Sequence, residues 1–419
     1  METTLTALAV LSVGYVLAYF VFDRLRVRFG YAGGAEYVIL GFLLGPRVAG
    51  ILSDSAVRSL TPVASLAIGW LGMSLGTYFR LPELVTLPPG LVAIAFTEAL
   101  TAFASVAGLL YVLLNRFTGL DPVATAILAS TLGAIATLSA PAAIDAFATQ
   151  DRRAAHPLFP ALRLTARIDG LVGVAAFGLV LAIFHQGQVA PVIRPPTATE
   201  WAVINIAVGI VSGVLFHLFL GPQEGAQTAA ERSQLFVALA AVIVIASGAS
   251  YYLNLSPVFT TLILGFVLVN TGRAHEDVRQ FLVNTERPVY LALLVFAGAT
   301  WTAPVRGLLF VAPAFIGARL LGRWVGGWLA GRWVAPPPLR AAGMGRALLA
   351  QGALGVALAL NYGQVFPGLR PNLVLSAALL SVLLFEGVAA AETARFLDLG
   401  PEAHAPPAVD RAAAAGTSS

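Results

Sequence analysis

An aspartate in the middle of an apolar run is the residue of this chain whose position most demands a chemical explanation. Asp169 lies in the run 158–184. At about 1.5 Å per residue of helix it stands roughly 16 Å from the start of that run, near the centre of a bilayer. A carboxylate at such depth is costly unless it pairs, takes up a proton or faces a wet cavity. Its default reading is therefore an ion or proton site, and a structural salt bridge is the alternative. Gly170 and Gly173 follow it and let a neighbouring backbone come close. Two candidate charge-compensating residues stand four apart in the run 305–331. Arg319 is near mid-span and needs a buried anion, whereas Arg323 is nearer one end, where reaching the interface is the ordinary explanation. Glu98 and Glu386 are further carboxylates inside apolar runs, either of which could partner Arg319, and Glu98 is also a candidate second charge at the ion site. Arg163 and Arg167 precede Asp169, but a two-residue offset turns Arg167 away from it on a helix, so both are expected at headgroups or loops.

The backbone supplies a second signal. The run 121–147 contains Ala136-Thr137-Leu138-Ser139-Ala140-Pro141, a proline with two hydroxyl residues just ahead of it. Proline removes a hydrogen bond and clashes with the preceding turn. At membrane depth such a break survives only where protein or water satisfies the freed groups. The run 341–365 has a comparable weak point at Gln351-Gly352-Ala353-Leu354-Gly355. Paired interruptions in two halves of a chain point to a transport site built from crossed, discontinuous helices. Pro141, Gly352 and Gly355 are the expected break residues.

These residues need a membrane-embedded frame. Of 419 residues, 58% are hydrophobic and 11% charged, and the mean hydropathy is +0.83. Ordinary globular chains are about 25% charged, so this composition is that of a membrane protein. Thirteen spans are expected, near 3–22, 32–50, 60–80, 88–114, 121–147, 158–184, 199–221, 233–252, 256–271, 287–303, 305–331, 341–365 and 371–395. The first has no basic flank or small-residue cleavage site and reads as a retained helix. With the N-terminus outside, the inward loops hold more than twice as many arginines as the outward ones, which places the C-terminus in the cytoplasm. Residues 399–419, rich in Ala and Pro, read as a disordered cytoplasmic tail. Absence of cysteine excludes disulfides and thiol catalysis. The five histidines are dispersed, only His217 lying inside a span, so no intramembrane metal enzyme is expected and no cofactor. Every basic residue is arginine, a hint of a GC-rich, prokaryotic genome. The arginines are scattered singly rather than gathered in a patch, which argues against a nucleic-acid partner.

The segment Ala35-Glu36-Tyr37-Val38-Ile39-Leu40-Gly41-Phe42-Leu43-Leu44-Gly45-Pro46 is similar to an early motif of the cation:proton antiporter superfamily, which includes sodium/proton, potassium/proton and Kef-type exchangers. Leu262 to Leu268, then Leu294-Val295-Phe296-Ala297-Gly298-Ala299 and the Gly-rich twelfth span, resemble its later helices in order. The resemblance covers nearly all the membrane region. It implies an all-α polytopic fold with an inverted repeat pairing spans 2–6 with 9–13 and two crossing discontinuous helices. It further implies a transmembrane domain over 1–398, with a core near 88–184 and 305–395 moving against a dimerising panel near 32–80 and 199–303. On this likeness Asp169 matches the ion-binding aspartate, Thr137 and Ser139 fall in the unwound crossing segment, and Arg319 matches the basic residue facing it. The family usually has Asn, Asp or Gln just before the aspartate; this chain has Ile168.

The expected function is secondary antiport, not enzymatic chemistry. Deprotonated Asp169, helped by oxygens near Thr137 and Ser139, holds Na+ or K+, and protonation expels it. Arginine does not titrate in proteins, so one-for-one, electroneutral exchange is expected, in a homodimer surrounded by lipid in the plasma (inner) membrane. A sodium-coupled organic-anion symporter and a non-transporting or channel-like relative are the competing readings.

Overall fold

A computed structural model describes residues 34–141, 143–144, 158–185, 196–220, 229–271, 275–302, 305–334 and 343–398. The expected first span and the C-terminal tail lie outside the described residues. Among these residues the regular structure is helical: α1 (Ala35–Leu44), α2 (Asp54–Ser59), α3 (Thr61–Gly76), α4 (Leu81–Val85), α5 (Pro89–Phe117), α6 (Pro122–Thr137), α7 (Phe159–Ile183), α8 (Ala198–Leu220), α9 (Ala229–Tyr252), α10 (Pro257–Asn270), α11 (His275–Thr300), α12 (Val305–Leu329), α13 (Met344–Ala347), α14 (Gly352–Val365) and α15 (Pro371–Asp398). Four of them, α5, α7, α8 and α9, contain stretches long and apolar enough to cross a bilayer alone. The protein is an all-α polytopic membrane protein.

Helix starts follow local chemistry. Asp121 accepts from the backbone N–H groups of Val123 and Ala124, with Pro122 in the first turn of α6. Ser256 does the same for α10 through Phe259, ahead of Pro257. Such caps satisfy donors that the helix itself leaves unpaired. The expected spans map onto these helices with three shifts. Span 2 stops at Leu44, because Gly45-Pro46 cannot continue it. Span 10 begins at His275 rather than near 287: its charged opening turns remain helical, and Pro288 sits inside the helix. Spans 5 and 12 are each interrupted, giving α6 and the α13–α14 pair.

Packing follows an internal symmetry. Replace α1 by α10, α3 by α11, α5 by α12, α6 by the α13–α14 pair and α7 by α15, and vice versa. The packing of α3 on α10 then becomes that of α11 on α1; α5 on α7 becomes α12 on α15; α6 on α7 becomes α14 on α15, and all these pairs occur. The exchange advances the chain by seven spans, an odd number, so the two halves run in opposite senses. The first two of these crossings are backbone to backbone. A side chain at Gly265 would meet the Met73 carbonyl and one at Gly76 the Leu262 carbonyl; one at Gly298 would meet the Val38 carbonyl and one at Gly41 the Val295 carbonyl. Small residues are what allow helices to approach this closely in lipid.

Gly298→Val should therefore cost more than about 3 kcal/mol, because the obstacle is backbone that cannot rotate aside. Gly248→Ala, which meets no neighbouring atom within 4 Å, should leave stability unchanged. Melting in detergent, followed by the loss of the monodisperse chromatographic peak, separates the two.

Candidate functional site

The site begins with a helix end. Pro141 cannot donate to the Thr137 carbonyl four residues earlier, and its ring would clash with it; α6 stops at Thr137 and Leu138 is extended. A helix C-terminus leaves carbonyls without partners, and here they lie where no water reaches. Each is accounted for. Ala134 O accepts from Thr137 Oγ1 at 2.8 Å. Ile135 O accepts from Gln351 Nε2 at 2.8 Å. Ala136 O accepts from Arg319 Nε at 3.2 Å and Leu138 O from Arg319 NH2 at 2.9 Å. Thr137 O accepts from Arg323 NH2.

The second break, between α13 and α14, is closed by the same groups. Arg319 NH1 donates to Leu349 O at 2.8 Å, so one guanidinium spans both interrupted helices. Ala140 N–H donates to Ala350 O at 2.8 Å, joining the extended segments directly. Thr393 Oγ1 shares its one proton between Ala389 O of its own helix at 2.9 Å and Ala347 O at 3.1 Å. Gly352 has φ +65°, and an added side chain would lie 2.8 Å from Ala140 Cβ. Both conformation and space therefore require glycine. Gly355 leaves room for the Gln351 side chain that reaches Ile135.

Beside this crossing lies an ionic cluster. Arg323 NH1 is 2.6 Å from Asp169 Oδ2 and 2.7 Å from Glu98 Oε2, and all three side chains are fully buried. Ser139 Oγ is 2.6 Å from Asp169 Oδ2 and 3.1 Å from Leu348 O. Having one proton, it donates to the nearer carboxylate. Among the described residues, Asp169 Oδ1 and Glu98 Oε1 have no donor. Together with Arg319, the cluster has two positive and two negative groups, so it sums to zero when all are ionised. Helix positions make this convergence feasible: α5 and α12 touch at Gly322 and Gly326, the latter against Glu98 itself, and Gly173 brings α7 close to Ala134 of α6.

Several expected partnerships change. Arg319 takes carbonyls, not a buried anion: neither Glu98 nor Glu386 is its partner. Its guanidinium also lies 4.7 Å from the Phe385 ring. Arg323 does not reach the interface; it is the residue bound to both carboxylates. Glu386 accepts from Tyr290 OH at 2.5 Å. Thr137 offers its carbonyl to Arg323, while its hydroxyl turns back into α6 and only approaches the Asp169 backbone carbonyl, at 3.4 Å. Arg167 takes the loop contact among the expected alternatives, its guanidinium lying 4.5 Å from the Tyr78 ring in the turn after α3. Ile168 packs into the apolar core. Gln351 is the structural contributor whose function the sequence does not announce, although a buried amide at a break is the available signal. His217 binds Thr271 Oγ1 at 2.5 Å.

The sequence matches no protein-family model and no curated protein. Solved structures do match. The structure at pH 8 of the sodium proton antiporter MjNhaP1 from Methanocaldococcus jannaschii superposes with a TM-score of 0.65 at 17% identity, covering 94% of this chain and 99% of that one. An electron-microscopy map of the same protein gives 0.57 at 17% identity, over 94% and 97%. The chain has the sodium/proton antiporter fold. The superposition leaves no large part of either chain unmatched.

Arg319→Met should leave the buried carbonyls of Leu138 and Leu349 unpaired, each worth about 1–3 kcal/mol, while Ala136 O keeps only its long bond to Arg323. Arg319→Lys should recover part of that loss, because an ammonium donates but cannot span both breaks with a planar fork. The expected order of melting temperatures is wild type, then Lys, then Met; a Met variant as stable as wild type would refute the capping role.

Proposed function

We propose that the protein exchanges a monovalent cation, Na+ or K+, for a proton across a membrane by competition at Asp169. The observation that carries this reading is a buried carboxylate, one oxygen of which lacks any donor, placed where two interrupted helices cross. Oxygen ligands suit a hard cation, and Ser139 Oγ stands beside the same carboxylate.

The charge balance explains why one guanidinium serves two acids. Breaking a buried ion pair by removing one partner costs about 3–5 kcal/mol, because the other charge is stranded. When a cation or proton displaces Arg323 from Asp169, Glu98 still holds it, so no charge is left alone. The loaded cluster carries one net positive charge with either occupant, provided Glu98 stays ionised. Exchange is then one for one and electroneutral. Both guanidinium groups already have partners, which disfavours the organic-anion symporter, since neither arginine is open to a substrate carboxylate.

Asp169 is inaccessible to solvent here, so access comes from movement of the core, spans 4–6 and 11–13, against the remaining helices. In this reading the protein is a multi-pass, dimeric carrier with a cytoplasmic C-terminus, and no covalent step is involved.

Proton flux in proteoliposomes on adding Na+, K+ or Li+ tests the proposal. Wild type should acidify or alkalinise the lumen with at least one cation, and Asp169→Asn should abolish the response. Equal responses in both would remove Asp169 from the mechanism. Ser139→Ala should raise the cation KM about tenfold, the loss of one hydrogen-bonding ligand. An imposed membrane potential should leave the rate unchanged; a transport current would show that Glu98 also titrates.

A further inference from the structure

Away from the crossing, a cavity of about 240 Å³ opens between two helix ends. One wall is the C-terminus of α9 and the turn after it, Tyr251, Tyr252, Asn254 and Leu255; the other is the last turn of α14, Asn361, Gln364 and Val365. Asn254 adopts φ +52°, closing α9 with a left-handed residue. His185 fixes the same turn by a 2.8 Å hydrogen bond to Leu253 O and by stacking on Trp201. This wall is thus a built feature.

The floor is polar and incompletely paired. Asn361 is 1% exposed, and its Oδ1 accepts from Ser256 Oγ at 3.0 Å, which links α14 to the cap of α10. Its Nδ2 has no partner, nor does Gln364 Oε1. Rotating the Asn361 amide by half a turn exchanges these roles: Nδ2 donates to Ser256 Oγ, and the oxygen joins Gln364 Oε1 in the lining. Two neutral amide oxygens replace part of the hydration shell of a monovalent cation. Without a carboxylate in the lining, they release it again. The pocket lining contains no charged side chain.

The pocket is aligned with the ionic cluster. Asn361 lies two turns after Leu354 on one face of α14, about 10 Å along the axis, with Leu358 between them. Leu354 approaches Gly170, the neighbour of Asp169, and Leu75 closes the other side. On this face Leu354 and Leu358 stand between the pocket and Gly170, and both are apolar side chains.

We propose that this pocket is the mouth through which the transported cation arrives on the face opposite the C-terminus, with Asn361 and Gln364 as its first ligands. The inference rests on the exchange reading above. The chain has no cysteine, so Gln364→Cys creates a single thiol. A membrane-impermeant thiol reagent should label it only from the face opposite the C-terminus, and Na+ or K+ should slow labelling. In transport assays, Asn361→Leu, and Gln364→Leu should the first fail to fold, should raise the cation KM about tenfold when the ion is presented on that face, with no change on the other. Labelling from the C-terminal face, no cation protection, or unaltered KM in a variant that still exchanges ions would overturn the mouth alone. Absence of any exchange by wild type would instead overturn the exchange reading.

Discussion

The interrupted helices can exist in a bilayer only if their freed carbonyls find donors within the protein, and that requirement organises the centre of this molecule. Water is absent at that depth and each unpaired group is expensive. Donors that reach several carbonyls at once are therefore favoured, and guanidinium groups have five N–H bonds in a rigid fork. Arg319 serves Ala136, Leu138 and Leu349; Arg323 serves Thr137. Lysine, with one nitrogen on a flexible stem, has no equivalent geometry.

Importing two positive charges for this purpose creates the next requirement. Buried cations must be balanced, and Asp169 and Glu98 supply the balance on Arg323. The proposed ion site thus follows from the solution to a backbone problem. Carboxylates that neutralise capping arginines are already buried beside the crossing, each with one oxygen to spare.

How much of this is legible in the sequence depends on whether a residue acts on its own backbone or on a distant one. Pro141 and Gly352 act locally, through a missing donor and a positive φ, so both breaks can be read from their neighbourhoods. The burial of Asp169 inside a helix follows from its place in an apolar run. The partners of Arg319 and Arg323 do not. Which of two arginines four apart meets a carboxylate depends on how α12 is rotated against α5, α6 and α7 together, and the small residues that set this rotation, Gly322 and Gly326, look like ordinary helix-packing glycines. Counting from a span boundary puts Arg323 near the surface; close packing of α12 on α5 puts it beside Asp169. Charged opening turns likewise conceal the start of α11, since a helix that projects beyond lipid has no hydropathy signature there.

The same contrast between backbone and side-chain contact bears on movement. At α1 against α11 and α3 against α10, carbonyls sit where glycine side chains would be, and such crossings cannot slide without separating. Contacts between these helices and those bearing the ionic cluster are of another kind. They include Leu75 at Gly170 and Phe259 at Gly178, Arg167 over Tyr78, Ser256 on Asn361, Tyr290 on Glu386 and Trp301 on Ser376. Side chains can change rotamer and re-form elsewhere, whereas interlocked backbones cannot. The two boundaries therefore differ in what fills the space at the crossing: a neighbouring carbonyl in one, a side chain in the other. If Asp169 is to meet solvent at all, the boundary made of side chains is where the molecule opens.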